Sequence, residues 1–353
     1  MRRLRRLARR ILNAARDSAE RLGSRSAFGS ALYYLLFNRA FRFEQQIVLK
    51  GKVGYKDQAQ QPRVSSYLVR RNVHRIEKGL IMRPRREAFA TSYIVKTVNA
   101  FKRILDDRSV VDEKEIGWAF GVLSAYFAAA SGHSEIERAR QLWEEVLEEE
   151  LSDLPAPYPA ASLGKSPVAI AALRQLSIQR RSIRWYDGRP VPREAIDAAI
   201  EIASDSPSAC NRQAFEYLVL DNPELIRRVG PIAPGTKGFH ENFPCLVVVL
   251  GDLSAYFDER DRHVIYIDAS LATMAFMYAL TAQGLASCSI NWPDIREKED
   301  ELRSVLSIPD HKRPVMMVSV GYASPDGLVP SSVKKPLSVM RSFNTDRYAP
   351  THD

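Results

Sequence analysis

The chain has 353 residues, 45% of them hydrophobic and 26% charged, and a formal net charge of +9. That length and apolar fraction support sizeable cores, roughly two domains' worth, and exclude a disordered or fibrous chain. The basic balance admits nucleic acid, a membrane surface or an anionic ligand as partner, but neither paired Cys/His zinc spacings nor an aromatic RNA-binding strand is present, so no nucleic-acid partner is expected.

At the N-terminus, Leu4, Leu7, Ala8, Ile11, Leu12 and Ala15 recur at helical spacing among Arg2, Arg3, Arg5, Arg6, Arg9 and Arg10. This pattern predicts a basic amphipathic helix. Two readings stay open for it: peripheral contact with an anionic membrane from the inner face, or packing on a partner or on its own domain. No signal-peptide core follows directly, and the apolar run at 27–36, bounded by Arg25 and Arg39, is too short for a bilayer. No other stretch reads as a membrane span, so the expectation is a soluble cytoplasmic protein.

Residues 65–150 read as mainly helical. The stretch 117–130 has the Ala, Phe, Leu and Trp texture of a buried helix, and 136–150 is charged with Leu142, Trp143, Val146 and Leu147 as its apolar face. The segment 153–167 carries Pro155, Pro157, Pro159, Gly164 and Pro167, which makes it the best boundary in the chain. The expected division is a helical region at 1–154 with the basic amphipathic helix, a linker at 155–170 and a second domain at 171–345.

In that second domain, Ile196, Ala199, Ile200 and Ala203 form a helical stripe behind Pro192. Short strands are expected at 217–220, 245–250, 286–290 and 315–320, the second of them fully buried. Asn222 and Pro223 read as a cap and first-turn proline, and 267–282 as a long helix ended by Gly284. Helices alternating with short buried strands predict an α/β or α+β sheet covered on both faces. The three cysteines, Cys210, Cys245 and Cys288, lie far apart, so they read as small packing residues in a reducing compartment.

Two polar motifs carry chemistry. Arg180-Arg181-Ser182-Ile183-Arg184 puts three permanently charged guanidiniums and a hydroxyl within five residues, a pattern suited to phosphate. The segment 206–213, Ser-Pro-Ser-Ala-Cys-Asn-Arg-Gln, joins small residues to Ser208, Asn211 and Gln213, whose donors and acceptors can read a ring edge. Taken singly, the first also reads as a solvated basic patch and the second as a capped polar turn.

Together and in this order, the two motifs resemble the nitroreductase family of flavin enzymes. Gly284-Leu285-Ala286-Ser287-Cys288-Ser289-Ile290, the strand ending in Gly321-Tyr322, and Lys334-Lys335-Pro336 resemble further family segments, so the likeness covers about the last half of the chain. It implies an α+β fold, a three-layer α/β/α sandwich with a mainly antiparallel sheet, here preceded by a mainly helical region. It also implies FMN as cofactor, NAD(P)H as co-substrate, a small-molecule acceptor served by a ping-pong cycle, and a homodimer with FMN at the interface. Carried over residue by residue, Arg180 and Ser182, with Arg181 adjacent, would address the phosphate, and Arg184 the pyrimidine side of the ring. Pro207, Ser208 and Ala209 would come from the partner subunit, Asn211 would meet the ribityl or ring edge, and Gln213 would lie close by. Ile290 and Asn291 would pass their backbone near the reactive flavin nitrogen, and Lys334 with Lys335 would close the phosphate site. The flavin would do the redox chemistry, so no catalytic side chain is expected. A lysine stands where the family usually has arginine before the final proline, and 231–268 matches nothing specific.

Two constellations point elsewhere. The segment 230–237 has the glycines of a phosphate loop, but its Thr236 and Lys237 are in the wrong order and it follows a helix, so it reads as a surface loop or a lid. His74 and Glu77 share a helix face with no further metal ligand; they read as a hydrogen-bonded pair or, with Arg70, Arg71 and Lys78, as cover for an anionic substrate. The segments holding Tyr33-Tyr34 and Phe41 to Gln45 resemble extensions on nitroreductase-like proteins of bacterial surface-polysaccharide gene clusters. The alternative function is therefore a membrane-surface or polysaccharide-assembly protein whose flavin-binding module is not a reductase.

Overall fold

The computed structural model describes residues 17–60, 66–146 and 154–344. The basic amphipathic segment predicted at 1–15 lies outside the described residues.

The C-terminal half is built on one antiparallel sheet of β1 (Phe215–Leu220), β2 (Cys245–Asp252), β3 (Ala286–Asn291) and β4 (Lys312–Gly321), in the order β1-β2-β4-β3. Every residue of β2 is buried, which its unbroken apolar run requires. Its side chains alternate between two cores. Leu246, Val248 and Leu250 face a layer that includes Ile226, Val229 and Leu302. Cys245, Val247 and Val249 face the opposite layer with Ala199, Ala203, Ala272, Phe276 and Leu280. The sheet is thus sandwiched between helices, giving the expected three-layer α+β architecture. β4 is longer than its apolar texture suggested, and its register with β2 shifts between Val249 and Leu250. That bulge accommodates Pro314, which cannot donate to the ladder.

Local signals set the helix ends. The Asn222 side chain accepts from Glu224 and Leu225 backbone N–H groups at 2.9 and 3.1 Å, and Pro223 opens the helix Pro223–Val229. The long helix Val264–Ala282 stops where Gly284 takes φ +78°, a conformation that favours glycine. The longer segment Glu259–Ala282 that contains it is long and apolar enough to cross a membrane by length and composition, which corrects the sequence reading that no such stretch exists. Half of that window is buried, packed on the sheet and on the helix Arg193–Ser204.

The helical half has its own core. In chain order its helices are α1 (Ala27–Leu36), α2 (Ala40–Gln60), α3 (Tyr67–Leu80), α4 (Ile94–Asp106), α5 (Glu113–Ala129) and α6 (Ser134–Glu144). Val73, Ile76, Val98, Phe101, Leu123, Tyr126 and Trp143 make the centre of one cluster among α3 to α6. α2 instead packs on the C-terminal half, where Ile47 joins Leu253, Tyr256 and Ile265. Gly51 permits this approach: a Cβ there would lie 2.6 Å from Leu253 Cβ.

One buried ionic cluster ties the sheet to its last covering helix. Arg313, on β4, donates to Glu299 at 3.0 Å, to Asp294 at 2.7 Å and to the Tyr266 hydroxyl at 2.8 Å. Arg313 and Glu299 are both buried, so removing either leaves the other charge without water or a full partner set. Arg313→Met should lower unfolding stability by about 3–5 kcal/mol in urea titration, and adding Glu299→Met should recover most of it. A loss under about 1 kcal/mol for the single variant would contradict the role.

Candidate functional site

The first motif begins as a helix ends. Arg180 caps the helix Ile170–Gln179, its N–H bonding to the Leu176 carbonyl at 2.9 Å. The chain then runs alongside β3: Ser182 pairs with Ser287 in parallel, and Ile183 N–H donates to the Ser287 carbonyl at 3.0 Å. This edge pairing turns the arginines out of the sheet. Arg180, Arg181, Ser182 and Arg184 line a cleft of about 160 Å³ with Pro330, Ser332 and Lys334. Lys334 arrives from more than 140 residues away in sequence, as the resemblance implied. Lys335 does not line the cleft. Among the described residues, none of its four cationic side chains has a carboxylate partner and no carboxylate lines it. The hydroxyl of Ser287, the strand residue that pairs with Ser182, is buried without a hydrogen-bond partner. Burial holds the Cys288 thiol above its usual range, opposed by the nearby charges of Arg184 and Arg180.

The segment 231–243, which sequence patterns could not place, supports this edge. Asn242 Oδ1 accepts from Tyr186 N–H at 2.8 Å, and its Nδ2 donates to the Arg184 carbonyl at 2.6 Å. The Arg184 guanidinium sits 5.7 Å from the Phe239 ring centroid. Ile232, Ala233 and Thr236 are buried, and a Cβ on Gly235 would meet Ile290 at 3.8 Å. The phosphate-loop look-alike is therefore packed against β3, which corrects its reading as a plain surface loop.

At the far end of β3, Ile290 and Asn291 line a second cleft of about 730 Å³ with His263, Tyr266, Ser270, Trp292 and others. Ile290 lies three steps along the strand from Ser287, about 10 Å at the strand rise. The indole N–H of Trp292 has no hydrogen-bond partner.

The 206–213 loop lines neither cleft. It is strained and tightly held. Cys210, Asn211 and Gln213 have φ of 56°, 51° and 50°. Such left-handed backbone costs roughly 1–2 kcal/mol for each residue other than glycine and persists only when neighbours enforce it. The neighbours are explicit. Ser208 Oγ accepts from Gln213 N–H at 3.1 Å, and Asp268 accepts from Ala209 N–H at 2.9 Å. Gln213 Nε2 donates to the Ser204 carbonyl at 2.9 Å. Arg70, from α3 of the helical half, donates to the Asn211 carbonyl at 2.8 Å and to Gln213 Oε1 at 3.0 Å, and its third contact is Glu115 at 2.7 Å. Ser208 and Gln213 thus hold the loop, while Pro207 is exposed and Ala209 and Asn211 are half-buried. Arg70, Asn242 and Asp268 were missed by sequence reasoning. Only Asp268 left a signal, as a lone acid in an apolar helical run.

His74 Nδ1 lies 2.9 Å from Glu77 Oε2, and Glu77 Oε1 accepts from the Trp118 indole at 2.8 Å. The pair is a hydrogen-bonded link inside the helical half. Among the described residues, no group of three or more His, Cys, Asp and Glu could hold a metal ion.

Residues 178–237 and 232–322 match the nitroreductase family. The C-terminal half of the chain is a nitroreductase-family domain, preceded by a helical region. A Methanothermobacter thermautotrophicus protein described as NADH dehydrogenase/NAD(P)H nitroreductase is 27% identical over 143 residues, 40% of this chain and 73% of its own. Rat (Rattus norvegicus) iodotyrosine deiodinase 1 is 22% identical over 259 residues, 65% of this chain and 90% of its own. Among solved structures, an FMN-dependent nitroreductase from Clostridium difficile R20291 aligns over 48% of this chain and 98% of its own, with 23% identity and a TM-score of 0.41.

Asp268 offers a check on the loop. Burial raises its pKa above the usual carboxylate value, more than the Ala209 N–H, Tyr256 and Arg212 lower it. A raised carboxylate pKa means the folded state binds the extra proton, so stability falls as pH rises through the folded value. Relative to Asp268→Asn, the wild-type melting temperature should drop as pH is taken upward from about 4. A wild-type advantage that grows with pH over that window would contradict this.

Proposed function

We propose that this nitroreductase-family oxidoreductase binds FMN and carries reducing equivalents from NAD(P)H to a small-molecule acceptor in two successive half-reactions. The observation that carries the reading is the cleft of Arg180, Arg181, Ser182, Arg184, Ser332 and Lys334, which offers donors and positive charge with no carboxylate. That donor set fits a phosphate-bearing cofactor. FMN, when bound, supplies the hydride acceptor and donor chemistry that no side chain here provides.

The chain's own residues bind and orient. Arg180, Arg181 and Lys334 would hold the phosphate, with Ser182 giving a hydroxyl. Arg184, braced by Phe239 and Asn242, would meet the ring's polar edge. Ile290 and Asn291, about 10 Å along β3 from the cleft, would flank the reactive end. Pro207, Ser208, Ala209, Asn211 and Gln213 would complete the site from a second subunit of a homodimer. Supporting this are the exposed apolar side chains Ile170, Leu173, Ile178, Ile267, Leu271, Leu337 and Met340, which one chain leaves uncovered. NAD(P)H is supported by the names of the Methanothermobacter thermautotrophicus relative and of Bacillus subtilis YodC, described as an NAD(P)H nitroreductase. The acceptor is left at the level of a small molecule, because the relatives' names span nitroreductases and deiodinases.

Arg180→Gln and Lys334→Gln should each weaken FMN binding by about tenfold or more, read by quenching of flavin fluorescence. Unchanged affinity in both would remove the cleft from the cofactor site.

A second reading concerns location. α1 exposes Phe28, Leu32, Leu35 and Leu36 on one stripe, and Arg25, Arg39 and Arg42 flank it. This suits peripheral docking of the enzyme on an anionic membrane. Phe28→Ser with Leu35→Ser should lower retention on phosphatidylserine vesicles severalfold in co-sedimentation, and equal retention would reject the stripe as the contact.

A further inference from the structure

The helical half meets the 206–213 loop through a face of α3 that carries more than Arg70. Arg71, His74, Arg75 and Lys78 follow at helical spacing on one side, opposite the buried Val69, Val73 and Ile76. The guanidinium of Arg71 lies 4.7 Å from the Phe257 ring centroid, and that of Arg75 lies 4.0 Å from Tyr93. On the loop itself, Arg212 is only 3% exposed and sits 4.9 Å from the Tyr256 ring. The charges of Arg75 and Arg212 both bear on Arg71, and Cys210 is also within its field.

Positive charge gathered this way requires compensation, and the surrounding acids are committed elsewhere. Glu77 accepts from Trp118 and faces His74; Glu115 is paired with Arg70. Asp261 is paired with Arg260, which shares the Phe257 ring. Asp268 binds the Ala209 N–H and the Tyr256 hydroxyl, and makes no ion pair with Arg212. Arg212 spends one N–H on the Ala209 carbonyl at 3.1 Å, while its buried Nε has no partner. A buried guanidinium N–H left unbonded costs on the order of 1–3 kcal/mol or more, which an entering acceptor would recover. The aromatic rings hold the guanidinium planes; Arg71 spends one N–H on Asn72 Oδ1 at 3.3 Å, and its other N–H groups carry no hydrogen bond to the described residues.

We propose that Arg71, Arg75 and Arg212 form a second anion site, where the helical half meets the 206–213 loop, which takes the carboxylate or phosphate group of a small molecule beside Cys210. The site lies apart from the Arg180–Lys334 cleft and does not rest on what that cleft binds. Its chemistry selects for negative charge and for a planar group able to take a guanidinium fork. If the loop contributes to the flavin site, the bound anion is held next to it, and the helical half supplies acceptor selectivity.

The test uses the full chain saturated with FMN, so that the first cleft is filled, and inorganic phosphate as probe in low-salt calorimetry. The wild type should bind one phosphate per chain; Arg71→Gln and Arg75→Gln should each weaken it about tenfold while retaining FMN. Lys52→Gln, a surface cation paired with Glu259, should leave binding unchanged. A second readout is the thiol of Cys210, half-buried where Cys245 and Cys288 are fully buried. Its reaction with the dianionic 5,5′-dithiobis(2-nitrobenzoate) should slow about tenfold in Arg71→Gln and be blocked by phosphate. Its reaction with neutral 4,4′-dithiodipyridine should not slow. No saturable phosphate binding by the wild type, or equal slowing of both reagents, would overturn the site. Phosphate that binds only by displacing FMN would also overturn it, since the anion would then belong to the first cleft.

Discussion

Arginine keeps its charge in every protein environment, so a fold that gathers guanidiniums without carboxylates favours an anionic ligand there. This constraint organises both ends of the C-terminal half. At β3 it collects Arg180, Arg181, Arg184 and Lys334 around a small cleft with no acid in the lining. At the seam with the helical half it collects Arg71, Arg75 and Arg212 among aromatic rings. Other cations are paired with carboxylates, as in the buried Arg313–Glu299 cluster and the Arg70–Glu115 bridge. The contrast between paired and unpaired cations separates architecture from binding surface.

The helical half is a structural partner of the loop that it contacts. Three left-handed residues within four positions are costly, and Arg70 spends two of its N–H contacts on that loop. α2 reinforces the docking through Gly51 against Leu253 and through Ile47 in a shared core. Removing the helical half would therefore free the loop's backbone and expose the face of Leu253, Tyr256 and Ile265. The nitroreductase-family domain and its extension work as one unit at this seam.

Local chemistry was legible in the sequence where it is local. The buried run of β2, the Asn222–Pro223 start and the Gly284 stop were all readable because each depends on residues within a few positions. The cluster of Arg180, Ser182 and Arg184 was readable for the same reason, and Lys334 joined it through the order of motifs. The support was not readable. Arg70 and Asn211 are far apart in sequence, and nothing in the pattern around Arg70 distinguishes it from Arg71. The segment 231–243 looked featureless because its task is contact: Asn242 bonds backbone and Phe239 offers a ring face, and neither leaves a spacing signature. The span-like hydropathy of Glu259–Ala282 was also missed, because a helix buried on a sheet and one in lipid share the same composition.

The account's central claim is that the cleft at β3 makes this chain a flavin-dependent oxidoreductase. The most direct measurement is the absorption spectrum of the purified full-length protein under anaerobic conditions, before and after NADPH is added. The account predicts the yellow band of bound FMN and its bleaching by NADPH, followed by its return on admission of an acceptor. A colourless protein that takes up no FMN would contradict the cofactor, and a bound flavin that neither NADPH nor NADH can bleach would contradict the reductase.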